Sequence, residues 1–247
     1  MSWQPIDCHA HTTLSDGALT PEQLVERVRA RGVRPSIADH VSTDIALAVQ
    51  SVAGVREYLD IIEPLDACRG AEFCWHDPLW REIPPDLMGR FTHRIGSLHA
   101  IQLGTGEWVH AFTSRYPAEL PLSAYLDGYI TTLEEMTREM PVEILAHPTL
   151  LNTAVRRLPA DEVWTEELED RVVGALFRSG IAFEISARYR PHSGIVKRAV
   201  DRGVRISLGS DGHRPEQVGA IEAPLAHARM LGVADEDLYD PSIHGRR

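Results

Sequence analysis

The run Asp7-Cys8-His9-Ala10-His11-Thr12, followed by Ser15-Asp16-Gly17, sets two imidazoles two positions apart. In an extended strand such residues share a face, so His9 and His11 can address one cation while Cys8 turns the other way, into the packing. Taken singly, an HxH is more readily a pair of hydrogen-bonded surface histidines than a metal site. Its weight comes from what recurs downstream: His40, Glu72, His99, His147 and the pair Asp211 and His213 each fall at the C-terminal end of an expected strand. Each has a plain alternative as a helix cap, a surface carboxylate or a His-Pro turn. In parallel βα architectures, however, that end of the sheet is where sites are assembled, and packing gives a histidine no reason to prefer it. With Asp16 these are nine candidate ligands, enough for two or three divalent ions with water positions open. Nitrogen and oxygen donors without thiolates suit Zn²⁺, Mn²⁺ or Fe²⁺ better than Ca²⁺ or a structural zinc.

The elements that must hold these residues alternate short β-like runs with amphipathic segments, the pattern of βα units around a mainly parallel sheet. The runs are 4–9, 36–39, 67–73, 94–98, 142–146, 181–185 and 204–208. Thr20-Pro21-Glu22-Gln23 supplies an N-cap, a proline at the first helical position and a capping-box glutamine, and Gly32 stops that helix. Thr165 to Ser179 repeats the arrangement, with Leu168, Val172 and Leu176 on one face and Gly180 as the stop. The segment 75–90, with three prolines and mixed polarity, reads as an irregular loop.

The chain has 247 residues, 43% hydrophobic and 25% charged, with no repeat, low-complexity tract or flexible linker. That is an ordinary globular composition, and the length suits one domain spanning 1–247, since a single α/β barrel fills about 250 residues. No apolar run approaches the roughly 20 residues of a membrane-spanning helix, and the N-terminus carries no signal-peptide pattern, so the expected location is the cytoplasm. Cys8, Cys68 and Cys74 have no CxxC spacing and read as buried thiols. With 36 acidic against 25 basic residues the net charge is −11, which disfavours non-specific duplex nucleic acid as a partner. Lys197 is the one lysine; the other basic residues are arginines.

The motifs His9-Ala10-His11-Thr12, Ser15-Asp16-Gly17, Ala38-Asp39-His40, Gly70-Ala71-Glu72, Gly96-Ser97-Leu98-His99, Ala146-His147-Pro148 and Gly209-Ser210-Asp211-Gly212-His213 together resemble the PHP (polymerase and histidinol phosphatase) family. They come in that family's order and extend over most of the chain. The resemblance implies a distorted (β/α)7 TIM-like barrel with a trinuclear site. By its pattern His9, His11, Glu72 and Asp211 would hold one ion, Glu72 with His99 and His147 a second, and Asp16, His40 and His213 the third. Asp39 and Glu184 would stand behind the ligands. Position 16 is His in some relatives, so an aspartate here departs from them and favours Mn²⁺ or Fe²⁺ in the third place.

Ions about 3.5 to 4 Å apart share a water, bring its pKa towards neutrality and clamp both the entering and leaving oxygens of an in-line displacement at phosphorus. The expected nucleophile is then a metal-bridging hydroxide, with catalysis resting on Glu72, Asp211 and, as a general-acid candidate, His213. No GxSxG, GxxxxGK[ST] or HExxH motif supports another chemistry. Arginine's planar fork suits phosphate oxygens, and Arg188, Arg190 and His192 follow the run 181–185 closely enough to reach them. Glu184 could alternatively meet a substrate amine.

The reading is a metal-dependent phosphomonoesterase for a small, histidinol-phosphate-like substrate, an activity of histidine biosynthesis. The chain is long enough for the barrel alone, without attached polymerase modules, and a long insertion follows His99 as in that subgroup. One alternative is a nucleotide phosphoesterase or 3'-5' exonuclease on short single strands. Others are an amidohydrolase, whose bridging carbamylated lysine has no counterpart at a strand end here, and a non-catalytic metal-binding module.

Overall fold

A computed structural model describes residues 3–104 and 106–245. The chain runs β1 (Ser36–Val41), β2 (Cys68–Cys74), β3 (Ile95–Ser97), β4 (Ala100–Gln102), β5 (Trp108–His110), β6 (Ile144–Leu145), β7 (Ala182–Ser186) and β8 (Ile206–Gly209). The main helices between them are α1 (Pro21–Ala30), α2 (Val52–Ile62), α5 (Leu122–Glu139), α7 (Glu166–Ser179), α8 (Ser193–Asp201) and α9 (Glu222–Met230). Single-turn helices α3 (Leu79–Glu82), α4 (Pro85–Met88), α6 (Ala160–Val163) and α10 (Pro241–His244) complete the set among the described residues.

Six parallel strands form one curled sheet in the order β1-β2-β3-β6-β7-β8, consistent with a distorted barrel. Six of the seven expected runs thus become strands. The first, 4–9, forms no ladder and instead links the sheet's two edges, through isolated parallel bridges Ile6–Arg34 and Ala10–Gly212. Cys8 N–H donates to Leu208 O at 2.9 Å on one side, while Ala38 N–H donates to Ala10 O at 2.9 Å on the other. Regular pairing is interrupted where the Asp7 carboxylate takes the amide of Ser210, just beyond β8, at 2.8 Å, and it also accepts from Gly219 N–H at 2.9 Å.

Strands β1, β7 and β8 are buried along their whole length, as parallel strands covered on both faces must be. Inside the curl a small cluster packs Ile6, Cys8, Ala38, Ile95, Ile144, Ala146, Ala182 and Tyr239, so Cys8 faces the interior packing as its position in the HxH implies. A larger core lies between the sheet and the helices, with Leu24 and Val28 of α1, Leu59 and Ile62 of α2, Leu133 of α5 and Val172 and Leu176 of α7. Helix α1 has the expected capping box, Thr20 accepting from Gln23 N–H and the Gln23 side chain returning to Thr20 N–H. Helix α7 starts at Thr165 and stops at Gly180, whose φ of 67° is the left-handed conformation glycine allows.

The segment expected as an irregular loop contains α3 and α4, each starting beside a proline that presets its first turn. The insertion after His99 holds the antiparallel hairpin β4–β5. Among the described residues no helix is long and apolar enough to cross a membrane. Arg246 and Arg247 of the tail lie outside the described residues.

Candidate metal centre

All nine expected ligands converge at the C-terminal ends of the parallel strands. His9 and His11 come from the edge-linking segment, His40 from β1, Glu72 from β2, and Asp211 and His213 from the turn after β8. Their donor atoms fall into three groups in which every pair lies within 4.8 Å: His9, His11 and Asp211; Glu72, His99 and His147; and His11, Asp16, His40 and His213.

Glu72 stands at the centre, 1% exposed. Its Oε2 is 3.3 Å from His9 Nε2, 3.7 Å from His11 Nε2 and 2.8 Å from His40 Nδ1, and its Oε1 is 3.2 Å from His99 Nε2 and 3.3 Å from His147 Nε2. One carboxylate thus divides five imidazoles between its two oxygens, the disposition of a bridging ligand. Asp211 Oδ1 lies 3.5 Å from both His11 Nε2 and His213 Nδ1, and Asp16 reaches His213 Nε2 at 3.2 Å and His11 Nδ1 at 3.7 Å.

The donor set fits divalent cations on its own evidence. His9 Nε2 and His11 Nε2 converge to 3.1 Å, although two ring nitrogens share at most one proton between them. Buried His11 Nδ1 has no hydrogen-bond partner among the described residues. Burial pushes the His11 ring down to about 3, with His40 adding to the effect, so its lone pairs stay available. Burial also opposes ionisation of Glu72, yet His40, His9 and His99 outweigh it and hold its carboxyl well below the usual range. Asp211 behaves alike, its burial overcome by the hydrogen bond from His11 and the nearby His9. Ionised carboxylates and an unprotonated His11 suit a cation, whereas, against burial, Glu184 and Glu72 raise His9, and Cys74 and Glu72 raise His99, so a cation would displace protons from those rings.

Backbone strain marks two of these positions. His147 and Asp211 are the non-glycine residues with positive φ among the described residues, at 32° and 50°. Each is pinned through its amide, His147 N–H to Glu184 Oε2 at 2.7 Å and Asp211 N–H to His9 O at 2.8 Å.

The supporting residues take clear places. Glu184 is fully buried, its Oε1 2.8 Å from His9 Nδ1, so it orients that ring and is not open to a substrate amine. Asp39 accepts from Thr12 N–H at 2.6 Å, Thr12 Oγ1 at 2.7 Å and Ser15 Oγ at 2.5 Å, shaping the turn that carries Asp16. Cys74, overlooked in the sequence, holds the far side of His99, Sγ to Nδ1 at 3.1 Å. Its signal was its position two residues beyond Glu72, on the same strand face. Asp7 was also missed; burial raises its pKa to about 6, against hydrogen bonds from Ser210, Gly219 and His9.

Of the expected phosphate contacts, only Arg188 reaches the metal cavity, its Nη1 2.8 Å from His213 Nδ1 and 3.7 Å from Asp211 Oδ1. Arg190 and His192 instead line an adjoining groove that shares Arg188 and Tyr189 with the cavity. They follow β7 too late in the turn, and His192 is drawn to Glu169 at 3.2 Å as α8 begins. His213 is engaged on both nitrogens, by Asp16 and by Arg188 and Asp211, which leaves no ring position facing the cavity freely. Lys197 sits on α8 and pairs with Asp201 at 2.6 Å, so it bridges no metal pair. Phe112, from the insertion, and Tyr189 wall the opening, their rings 5.0 Å from His99 and 5.5 Å from His147. Sequence patterning carries no signal for Phe112.

No family model and no curated protein matches the chain. Solved structures do. A candidate histidinol phosphatase from Listeria monocytogenes superposes with a TM-score of 0.72 at 14% identity, over 88% of this chain and 98% of that one. The histidinol phosphate phosphatase of Lactococcus lactis, solved with zinc, L-histidinol and phosphate, superposes with a TM-score of 0.69 at 16% identity, over 94% of this chain and 95% of that one. At these identities the likeness is one of fold: the chain has the architecture found in histidinol phosphatases.

Proposed function

We propose that this protein is a metal-dependent phosphoesterase that hydrolyses a small phosphomonoester within the cavity above Glu72. The observation that carries the reading is the bridging carboxylate itself, one buried Glu72 divided between two sets of imidazoles with Arg188 at the cavity rim. The ligands would be His9, His11 and Asp211, then His99 and His147, then Asp16, His40 and His213, with Glu72 shared. Bound divalent ions would acidify a shared water and neutralise phosphoryl oxygens as charge develops.

The chain's own residues supply the rest. The cavity offers no serine, threonine or cysteine to attack phosphorus, so water is the nucleophile that fits. Its oxygen joins phosphorus as the opposite bond to the alcohol oxygen breaks, and the alcohol departs with a proton. Arg188 directs guanidinium N–H donors where phosphoryl oxygens must sit beside Asp211. Glu184 keeps His9 in one tautomer and orientation, and Phe112 and Tyr189 limit water at the mouth. Fold likeness to histidinol phosphatases is consistent with the reading and leaves the substrate open.

The test is phosphate release from p-nitrophenyl phosphate and L-histidinol phosphate by Mn²⁺- or Zn²⁺-loaded protein, with chelator-treated protein as blank. Turnover of at least one of them at about 1 per second or faster, lost on chelation and restored by metal, is expected. No metal-dependent release from any phosphomonoester would overturn the reading.

A further inference from the structure

The groove beside the metal cavity, about 460 Å³, is lined by four arginines, Arg156, Arg157, Arg188 and Arg190, and, among the described residues, by no carboxylate. The chain as a whole is acidic, with a net charge of −11, and of the four groove arginines Arg188 alone has a carboxylate partner among the described residues, Asp211 at 3.7 Å. Arg157 and Arg190 form no hydrogen bond or ion pair among the described residues, and Arg156 bonds only Thr153 Oγ1 and the Ala111 carbonyl. Glu169 touches His192 at the groove but is bonded to Arg198 Nε at 3.0 Å. The groove floor is apolar and buried, with Leu150, Leu151 and Val155 at most 3% exposed. Tyr189 lies where groove and cavity meet, with Arg156 and Arg188 over its ring at 5.4 and 5.3 Å.

Like charges gathered on one wall, with Arg156, Arg157 and Arg190 lacking a carboxylate partner among the described residues, raise the potential there and attract an anion. The cavity itself has no spare acid for a cationic substrate: Asp16, Glu72 and Asp211 belong to the ligand set, and Glu184 is buried against His9. We propose that the groove is a second oxyanion subsite, so that the preferred substrate is a phosphoester whose alcohol carries another phosphate or a carboxylate. The scissile phosphoryl group sits in the cavity under Arg188, and the second oxyanion meets Arg156, Arg157 and Arg190. An amino alcohol such as L-histidinol brings positive charge to that wall and is disfavoured. This rests on the phosphoesterase reading for the scissile group, while the subsite is built from residues outside the ligand set.

Glucose 6-phosphate, glucose 1,6-bisphosphate and 6-phosphogluconate share one phosphorylated carbon and differ in the group at the other end, and L-histidinol phosphate adds the cationic case. Steady-state kinetics on metal-loaded protein should give kcat/KM at least about tenfold higher for one of the two substrates with a second anionic end than for glucose 6-phosphate, mainly through KM. Which of the two leads distinguishes phosphate from carboxylate. In Arg157→Gln and Arg190→Gln the preference should shrink by about tenfold each. Calorimetric titration of chelator-treated protein should give the same order of affinities, with the same dependence on the two arginines. Equal or better turnover and binding of glucose 6-phosphate or L-histidinol phosphate overturns the subsite and leaves the phosphoesterase. Arginine-dependent binding of the compounds with a second anionic end, without turnover of any phosphoester, supports the subsite and overturns the phosphoesterase.

Discussion

At the scale of single residues, the site separates side chains that would touch cations from those that aim them. Glu72 belongs to the first kind, with five imidazole nitrogens within 3.7 Å of its two oxygens. Glu72→Gln keeps the size but replaces one anionic oxygen with an NH₂ that points protons at ring nitrogens. Metal-dependent phosphatase activity should fall by about a thousandfold or more, with metal content by mass spectrometry dropping in parallel. Asp211→Asn should act in the same direction. Glu184 belongs to the second kind, bonded to His9 Nδ1 and to the strained His147 amide. Glu184→Gln should therefore weaken metal affinity by only about 10- to 100-fold, read from competition with a chelator, and excess metal should restore most of the activity. Equal losses in the two variants would contradict the division.

At the scale of elements, the strand ends hold the ligands because neighbouring backbones approach very closely there. Gly209 ends β8, and a Cβ at that position would collide with the Glu184 carboxylate and come within 2.8 Å of His9 Cβ. Gly209→Ala should displace Glu184 from His9, costing metal affinity in the same range as Glu184→Gln and destabilising the fold by about 1–3 kcal/mol through overpacking, measured by urea unfolding. The glycine therefore serves the site although it carries no chemistry. The edge-linking segment shows the same coupling. His9 gives its carbonyl to the Asp211 amide and its ring to the cluster, so the stretch that joins the two edges of the sheet also sets the spacing of ligands from opposite ends of the sequence. The β4–β5 hairpin adds Phe112 over His99 without contributing a ligand.

At the scale of the whole molecule, stability at acid pH should report on buried histidine outside the cluster. Burial pushes His93 down to about 4, although its Nε2 donates to the Cys8 carbonyl at 3.0 Å and its ring packs within 2.6 Å of where a Gly70 Cβ would stand. In the unfolded chain the ring takes its proton near the ordinary 6.5, so between about pH 6.5 and 4 the unfolded state binds more protons. Stability is then fully present above 6.5 and is lost as pH falls towards 4, by about 3 kcal/mol from this residue. His93→Gln should flatten that limb of the stability profile in urea titrations of chelator-treated protein, whatever it does to stability at neutral pH. An unchanged slope would show that His93 titrates normally in the folded state. Much of this molecule was determined by the sequence alone, for local reasons. Period-two placement of His9 and His11, capping at Thr20 and Thr165, and ligand-competent residues at successive strand ends are properties of short stretches, and they foretold six strands, two helices and the clustering of nine metal-competent side chains. Other features were decided only by tertiary structure, because they depend on distances between residues far apart in the chain. These are the irregular link at 4–9 where a strand was expected, the removal of Arg190 and His192 from the cavity, Cys74 behind His99 and the unpaired arginines of the groove. Spacing along the chain sets which face a side chain takes; only the closed packing of sheet and loops sets which remote partner it meets there.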